Sequence, residues 1–313
     1  MNKKVLIVSH REGFESDSVI DELKKRNVDF FRFNTDEGEY VSKISFSIRD
    51  QIQLLLKCDN KQARAHEFTS AWFQQTYPYS IDSMSPVQSL QRATLTAAFD
   101  AIEEFTTCPW LNRPSSVQKA SNKIVQLRTA KLSGMEIPET VVSNNPQHIQ
   151  PFCTTKPSIM KNLNTPWYSD EEGLKAAYTK AVSKEILQQK EGLQFAPIIY
   201  QHTLNKREEC RVFSIDEECF AIKAPSSSTL TDIIRRERTT GEGFTRTTFP
   251  DEEKDKLMQF KTALDIDTCG ADYVIDDNGK WIFLEANTCG AWWWVDQHYN
   301  GQIKNAIVKY LMQ

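Results

Sequence analysis

The stretch GADYVIDDNGKWIFLEANTCG, residues 270–290, decides how this chain is read. Asn278-Gly279 between two apolar runs is a strong signal for a two-residue type I′ hairpin, because both turn positions need a positive φ. With those residues as the turn, Asp277 faces Lys280, and counting outward sets Asp272 opposite Glu285. Asn287 lies two residues further and points to the same face as Glu285. In that register Val274 and Phe283 share the carboxylate face, so the face is partly buried. Two carboxylates opposed across a hairpin repel, and burial drives one of them to hold its proton. A divalent cation removes the conflict. Asp, Glu and Asn offer hard oxygen donors, which suit magnesium and leave positions open for phosphate oxygens. Asp272, Glu285 and Asn287 are therefore candidate metal ligands. The alternative is a surface hairpin whose acids face solvent.

A phosphate-bound metal needs cations beside it. Lys123 follows Asn122 early in a helix predicted from Ser116 to Gly134, with Ala120, Ile124, Leu127 and Lys131 at helical spacing. Lys161 follows the apolar pair Ile159-Met160, and Lys156 competes with it for the same role. Arg211 in EECRVFSI and Lys223 in CFAIKAP each interrupt an apolar, strand-like run. A cation there says more than one on a helix surface. The planar fork of arginine suits a bidentate grip on phosphate or carboxylate. A three-residue loop, Asp216-Glu217-Glu218, sets Arg211 opposite Lys223. A two-residue loop, Asp216-Glu217, turns them to opposite faces. The longer loop is preferred because it gathers both cations.

Towards the N-terminus, Val5-Leu6-Ile7-Val8 reads as a buried parallel strand. A helix follows with Val19, Ile20 and Leu23 inward, then a strand over 29–33. This is the start of an open α/β sheet, and it carries no G-x-G-x-x-G. Residues 44–56 hold one or two more strands and Ala71-Trp72-Phe73 another. Ser85-Pro86 opens a helix running to about Phe105. Two prolines and an asparagine within 108–114 mark a boundary, which sets a first domain at 1–112. The remainder reads as α+β. It has extended chain over 136–142, a strand around Ile159, and a helix after Asp170 with Leu174, Ala177, Tyr178 and Ala181 on one face. Five strands follow, at 197–201, 210–215, 219–224, 272–275 and 281–285. Helices carry Leu257, Phe260 and Leu264, and at the chain end Ile303, Ile307 and Tyr310.

Bulk composition narrows the classes. The 313 residues carry 38 basic and 42 acidic side chains, a net charge of −4, which gives no basic excess for a nucleic-acid partner. The seven cysteines are scattered with no C-x-x-C pair, so neither a disulfide framework nor a zinc site is expected. The apolar run Val5–Val8 is too short for a signal peptide or membrane span. The expectation is a cytoplasmic protein without a membrane partner.

Asp272, Glu285 and Asn287 in FLEANTCG resemble the metal-binding end of the ATP-grasp ligases, and Pro197, Tyr200 and Gln201 resemble their hinge strand. VLIVSHREGFESDSVIDELKKRNVDFFRFNTDE, NRPSSVQKASNKIVQLRTAKLSGMEIPETVVSNN and FLEANTCGAWWWVD resemble, within that family, the maturases that cross-link microviridin and related graspetides. The resemblance implies an N-terminal open α/β pre-ATP-grasp domain (1–112) and a two-lobed ATP-grasp domain (113–313). The lid lobe would span about 113–196 and the catalytic lobe about 197–313. It implies ATP and Mg2+ as cofactors, with Lys123 and Lys161 on phosphates and Gln201 and His202 near adenine. Arg211 and Lys223 would act on the transferred phosphoryl group. It also implies a ribosomal precursor peptide, leader and core, as partner, and a homodimer. Two departures stand out: Trp72-Phe73-Gln74-Gln75 replaces a Trp-aromatic-Arg-Arg run, and His202 stands where glutamate is more usual. Trp292-Trp293-Trp294 would divide between core and a peptide-groove wall. The rival readings are a small-molecule carboxylate–amine ligase and an inactive peptide-binding module.

Overall fold

The run Val5–Val8 is buried on both faces, as the centre of a parallel sheet requires. In the computed structural model, which describes residues 3–36, 42–74, 85–163, 167–170, 173–176, 179–226 and 243–313, it forms the middle of β1 (Lys4–Ser9). Helix α1 (Phe14–Lys25) returns over the sheet with Val19, Ile20 and Leu23 inward, and β2 (Asp29–Asn34) pairs parallel to β1. β3 (Ser42–Ile48), β4 (Ile52–Cys58) and β5 (Lys61–Arg64) make a separate antiparallel meander. β6 (Ser70–Phe73), α2 (Pro86–Asp100) and β7 (Trp110–Leu111) follow. The parallel sheet has the order β2-β1-β6-β7.

Beyond Leu111 two helices, α3 (Pro114–Ala120) and α4 (Lys123–Leu132), replace the single helix expected from Ser116 to Gly134. The break has a local cause. The Asn122 side chain accepts hydrogen bonds from the N–H groups of Ile124 and Val125, which makes it the N-cap of a new helix.

The next segment, which carries a second sheet, runs through β8 (Thr140–Ser143), α5 (Pro146–Thr155), β9 (Ser158–Lys161), β10 (Trp167–Asp170), β11 (Gly173–Ala176), β12 (Lys180–Ala181), α6 (Lys184–Gln188), α7 (Lys190–Gln194) and β13 (Ile198–His202). Its strand order is β12-β9-β13-β8, and β10 and β11 form their own antiparallel ribbon. The helix expected after Asp170 is absent there: Asp170 pairs with Gly173 across the ribbon. Leu174 lies in β11, and Ala177 and Tyr178 of the expected helix lie outside the described residues. Gly173 costs a helix about 1 kcal/mol relative to alanine, while Trp167 and Tyr168 favour strand.

The third sheet holds β14 (Glu208–Ile215), β15 (Glu218–Pro225), β16 (Thr245–Thr247), β17 (Thr268–Ile275) and β18 (Trp281–Asn287), in the order β16-β15-β14-β17-β18. Helix α8 (Asp251–Leu264) covers one face, where Leu257, Phe260 and Leu264 meet Val212, Tyr273 and Phe283. The short α9 (Trp293–Asp296) and the terminal α10 (Gln302–Leu311) lie against the other. There Phe213, Ile222, Trp292 and Trp294 join Val5, Ile7, Val19 and Leu23 of the first domain in one core with Ile303, Ile307 and Leu311. The C-terminal helix thus seals the N-terminal sheet, and Ser70 Oγ donates to the Leu311 carbonyl at 2.6 Å.

Two expected boundaries move. β13 pairs with β8 and β9, so the junction between the second and third sheets lies after His202 and not at 197. Ala120 and Ala130, from α3 and α4, pack with α8, so the start of the segment expected in the lid lobe packs against the third sheet's helix.

Candidate active site

Asp272 pairs with Glu285 across β17 and β18, but two deviations from the counted register cancel to put it there. The turn is not a two-residue Asn-Gly turn. Ile275 pairs with Trp281, and Asp276 Oδ1 accepts from the N–H groups of Asn278 and Lys280, both at 2.9 Å. The longer loop shifts the register by one residue. A β-bulge at Leu284 restores it, since Tyr273 faces Phe283 while Asp272 faces Glu285. Phe283 is therefore not on the carboxylate face. It packs on Tyr273 and Phe260 beneath α8.

Arg211 stands opposite Asp272 on the other side of β17. Its Nη1 lies 2.8 Å from Asp272 Oδ1 and donates to the Gly270 carbonyl at 2.9 Å. The guanidinium is 1% exposed and sits 5.7 Å from the Trp294 ring centre. Gly270 makes room for it, because a Cβ there would lie 3.3 Å from Nη1. Asn287 pairs with Gly270, and its side-chain amide donates to Asp272 Oδ2 at 3.3 Å.

Lys123 Nζ reaches Glu285 Oε2 at 3.1 Å. Lys123 is the first residue of α4, where a cation opposes the helix dipole. A placement that costs helix stability in order to reach a carboxylate is a mark of a working site. Burial alone would raise the Glu285 carboxyl. Lys123 first, then Lys161 and Arg211, outweigh burial and hold it below the ordinary glutamate value. Lys161 ends β9 opposite Ile199, on the sheet face shared by Ile159 and Gln201. Gln201 is buried and donates to Thr140 Oγ1 at 2.9 Å. The structure thus brings Asp272, Glu285, Asn287, Arg211 and Lys123 together, with Lys161 in electrostatic reach.

It does not bring two expected residues with them. Lys223 faces Cys210, because the loop between β14 and β15 is the two-residue Asp216-Glu217 turn. Asp216 adopts φ 48, and Lys261 of α8 donates to its carbonyl and to Ser214 Oγ. That support fixes the shorter turn and sends Lys223 to the sheet face away from Arg211, where it pairs with Glu208 at 2.8 Å. His202 faces Ser158, on the side of β13 opposite Gln201. Its ring stacks on Phe152 of α5 at 4.0 Å and 7°, so it packs the second sheet against α5. Lys156, the competitor of Lys161, pairs with Glu139 at 2.8 Å on the surface.

Two buried polar residues that the sequence reading did not assign to the site hold its backbone. Asn112, read only as part of a boundary, donates to the carbonyls of Thr268 and Thr288 and accepts from the N–H groups of Asp267 and Thr268. It ties the start of β17 to the residue after Asn287. Glu15, at the start of α1, accepts from the N–H groups of Trp292 (2.6 Å) and Trp293 (2.8 Å) and from the Gln74 side chain (2.8 Å). Gln74 is one of the two residues that replace the arginine pair. Trp292 and Trp294 are core, and Trp293 meets Phe14 edge to face.

Burial raises the Glu15 carboxyl, against the pull of those hydrogen bonds. A carboxyl with a raised folded pKa binds its proton more readily when folded, so it withdraws stability as pH rises through that range. Glu15→Gln keeps an acceptor for the two N–H groups, and Gln74 can rotate its amide to match. That variant should be as stable as the parent at pH 7.5 or more so. Glu15→Ala strands the N–H groups and should lose about 1–3 kcal/mol. Urea midpoints of the two variants check this.

A parallel-sheet N-terminal domain followed by two antiparallel sheets, with acids and an amide on the last two strands, defines the ATP-grasp fold. The chain has that fold. It superposes on a Chryseobacterium gregarium RiPP-associated ATP-grasp ligase, in complex with ADP and a leader and core peptide, with TM-score 0.89 and 20% identity over 99% of this chain and 96% of that one. On the macrocyclase MdnC of Microcystis aeruginosa MRC, bound with precursor peptide MdnA, the TM-score is 0.86 at 22% identity over 99% of each chain. On the ATP-grasp ligase PsnB, complexed with a minimal precursor, Mg and ADP, it is 0.73 at 18% identity over 98% and 96%. Residues 4–117 match the family described as the MvdD pre-ATP grasp domain. No curated protein matches the chain.

Proposed function

We propose that this protein is an ATP- and Mg2+-dependent peptide macrocyclase. It would phosphorylate Asp or Glu side chains of a ribosomal precursor peptide and join them to Ser or Thr hydroxyls, as in microviridins, or to Lys amines. The observation that carries the reading is the convergence of Asp272, Glu285 and Asn287 with Lys123 and Arg211 on one sheet face. Fold neighbours solved with a leader and core peptide, and with a precursor peptide, support the choice of a peptide substrate.

The donor set fits magnesium. Asp272, Glu285 and Asn287 would hold it through hard oxygens, and Glu285 is kept ionised by the lysines around it. When bound, the metal supplies charge neutralisation along the ATP phosphates. Lys123 and Lys161 bind phosphate oxygens, and Gln201 sits on the same lid face as Lys161. Arg211 stabilises charge on the phosphoryl group as a substrate carboxylate oxygen attacks the γ-phosphorus and ADP leaves. A hydroxyl or amine of the same peptide then attacks the acyl carbon, phosphate departs, and the nucleophile loses its proton. Leader binding away from the reacting residues supplies proximity. Cytosolic action suits the seven free cysteines. A homodimer suits the exposed Val87 and Leu90 on α2.

Mass spectrometry of the protein with ATP, Mg2+ and the peptide encoded beside its gene tests this. Each ring should lower the peptide mass by about one water, a consequence of condensing a carboxylate with a hydroxyl or amine. Mild base should reopen esters and spare amides. ATP turnover driven by free amino acids or dipeptides, with no peptide losing water, would replace the reading with a small-molecule ligase.

A further inference from the structure

β18 is an edge strand: among the described residues its outer side meets only an isolated bridge of Ile282 with Glu136, and no further strand pairs with it. Ala286 lies between the proposed metal ligands Glu285 and Asn287. Its outward N–H and C=O cannot be left bare, because a buried unpaired backbone group costs free energy comparable to a lost hydrogen bond. Both are taken by one side chain. Gln126 Oε1 accepts from the Ala286 N–H at 2.9 Å, and Gln126 Nε2 donates to the Ala286 carbonyl at 2.7 Å. The second amide hydrogen goes to the Ala120 carbonyl at the end of α3, at 2.6 Å. Gln126 is 3% exposed. Its amide stands where the peptide group of a next strand would stand, and all its donors are used.

Gln126 and Lys123 are three residues apart on α4, so they share a helix face. Lys123 meets Glu285 and Gln126 meets Ala286. Two contacts one helical turn apart, on two adjacent residues of β18, fix both the height and the rotation of α4 along the strand. Resting on the nucleotide-binding reading above, we infer that Gln126 is the positioning residue that aims Lys123 at the nucleotide phosphates. A methionine of similar size fills the same space but supplies neither hydrogen bond. A carboxylate would meet two carbonyl oxygens with no hydrogen to offer.

The test is a double-mutant cycle on Lys123 and Gln126, read as binding of a non-hydrolysable ATP analogue with Mg2+ by calorimetry. Contacting residues that act as one unit give non-additive effects, whereas independent ones add. Gln126→Met should weaken binding about 10-fold in the parent and less than about twofold in Lys123→Met, because the lysine it positions is gone. An equal loss in both backgrounds would show a merely structural residue and overturn the inference, as would unchanged binding in Gln126→Met. If Gln126→Met does not fold, Gln126→Asn, which keeps the amide but is one methylene too short, takes its place in the cycle with the same two outcomes. Failure of the parent chain itself to bind the analogue would instead bring down the nucleotide reading, and this inference with it.

Discussion

Glu285→Gln should leave the protein folded and reduce ATP-dependent turnover by a factor on the order of 10³, since a metal site supplies several kcal/mol of charge stabilisation. The substitution keeps shape and removes one negative charge at the centre of the site. Glu285 is the counter-ion of Lys123 and lies in the field of Lys161 and Arg211. An uncharged amide leaves three cations facing one another with only Asp272 as acid. Nucleotide without metal should therefore bind as well as in the parent or better, while the Mg2+ concentration needed for half-maximal turnover rises. Steady-state kinetics across a magnesium series separates these effects. Turnover equal to the parent's at saturating ATP and Mg2+ would remove Glu285 from the machinery.

The residues that made the site legible are those whose chemistry conflicts with their surroundings. Asp272 and Glu285 are acids inside apolar runs, and Arg211 is a cation inside a strand that is otherwise apolar over 210–213. Such conflicts survive errors in local geometry. The turn at 276–280 is one residue longer than an Asn-Gly turn, and the bulge at Leu284 restores the register, so the acids face each other as the count predicts while Phe283 points to the opposite face. Lys223 shows the opposite case. Its position depended on one residue of loop length, and the deciding contact came from Lys261, distant in sequence. His202 failed for a similar reason, because strand alternation sends it to the side opposite Gln201 and its ring partner Phe152 lies on another element.

The N-terminal parallel strands were visible because a strand buried on both faces has no polar interruption. The role of Glu15 was not visible. One glutamate in the first turn of a helix is an ordinary dipole partner, and only the fold reveals Trp292 and Trp293 donating to it. Gly270 was closer to hand. A glycine within a strand signals a close approach, and the group that approaches is Arg211.

The second large effect concerns Arg211, and its burial decides which substitution can read it. Arg211 and Asp272 are 1% and 7% exposed and lie 2.8 Å apart. Breaking a buried ion pair by removing one partner leaves the other charge uncompensated, which typically costs about 3–5 kcal/mol. Against a total stability of roughly 5–15 kcal/mol that is severe, so Arg211→Ala or Arg211→Met should show a large fall in urea midpoint before any kinetic effect can be interpreted. Adding Asp272→Asn to Arg211→Met should recover most of that loss, because removing both charges of a buried pair is often close to neutral. The recovered double variant should still show no turnover. Arg211→Lys isolates the chemistry: the charge stays, but a single ammonium replaces the fork that meets Asp272 and the Gly270 carbonyl and that, in the proposed function, also meets the reacting phosphoryl group. Losing such a stabilising donor costs about 10²–10³ in rate, so kcat should drop by that order while the KM for ATP moves little. A Lys variant with the parent's kcat and a raised KM would place Arg211 on bound nucleotide instead of on the transferring group.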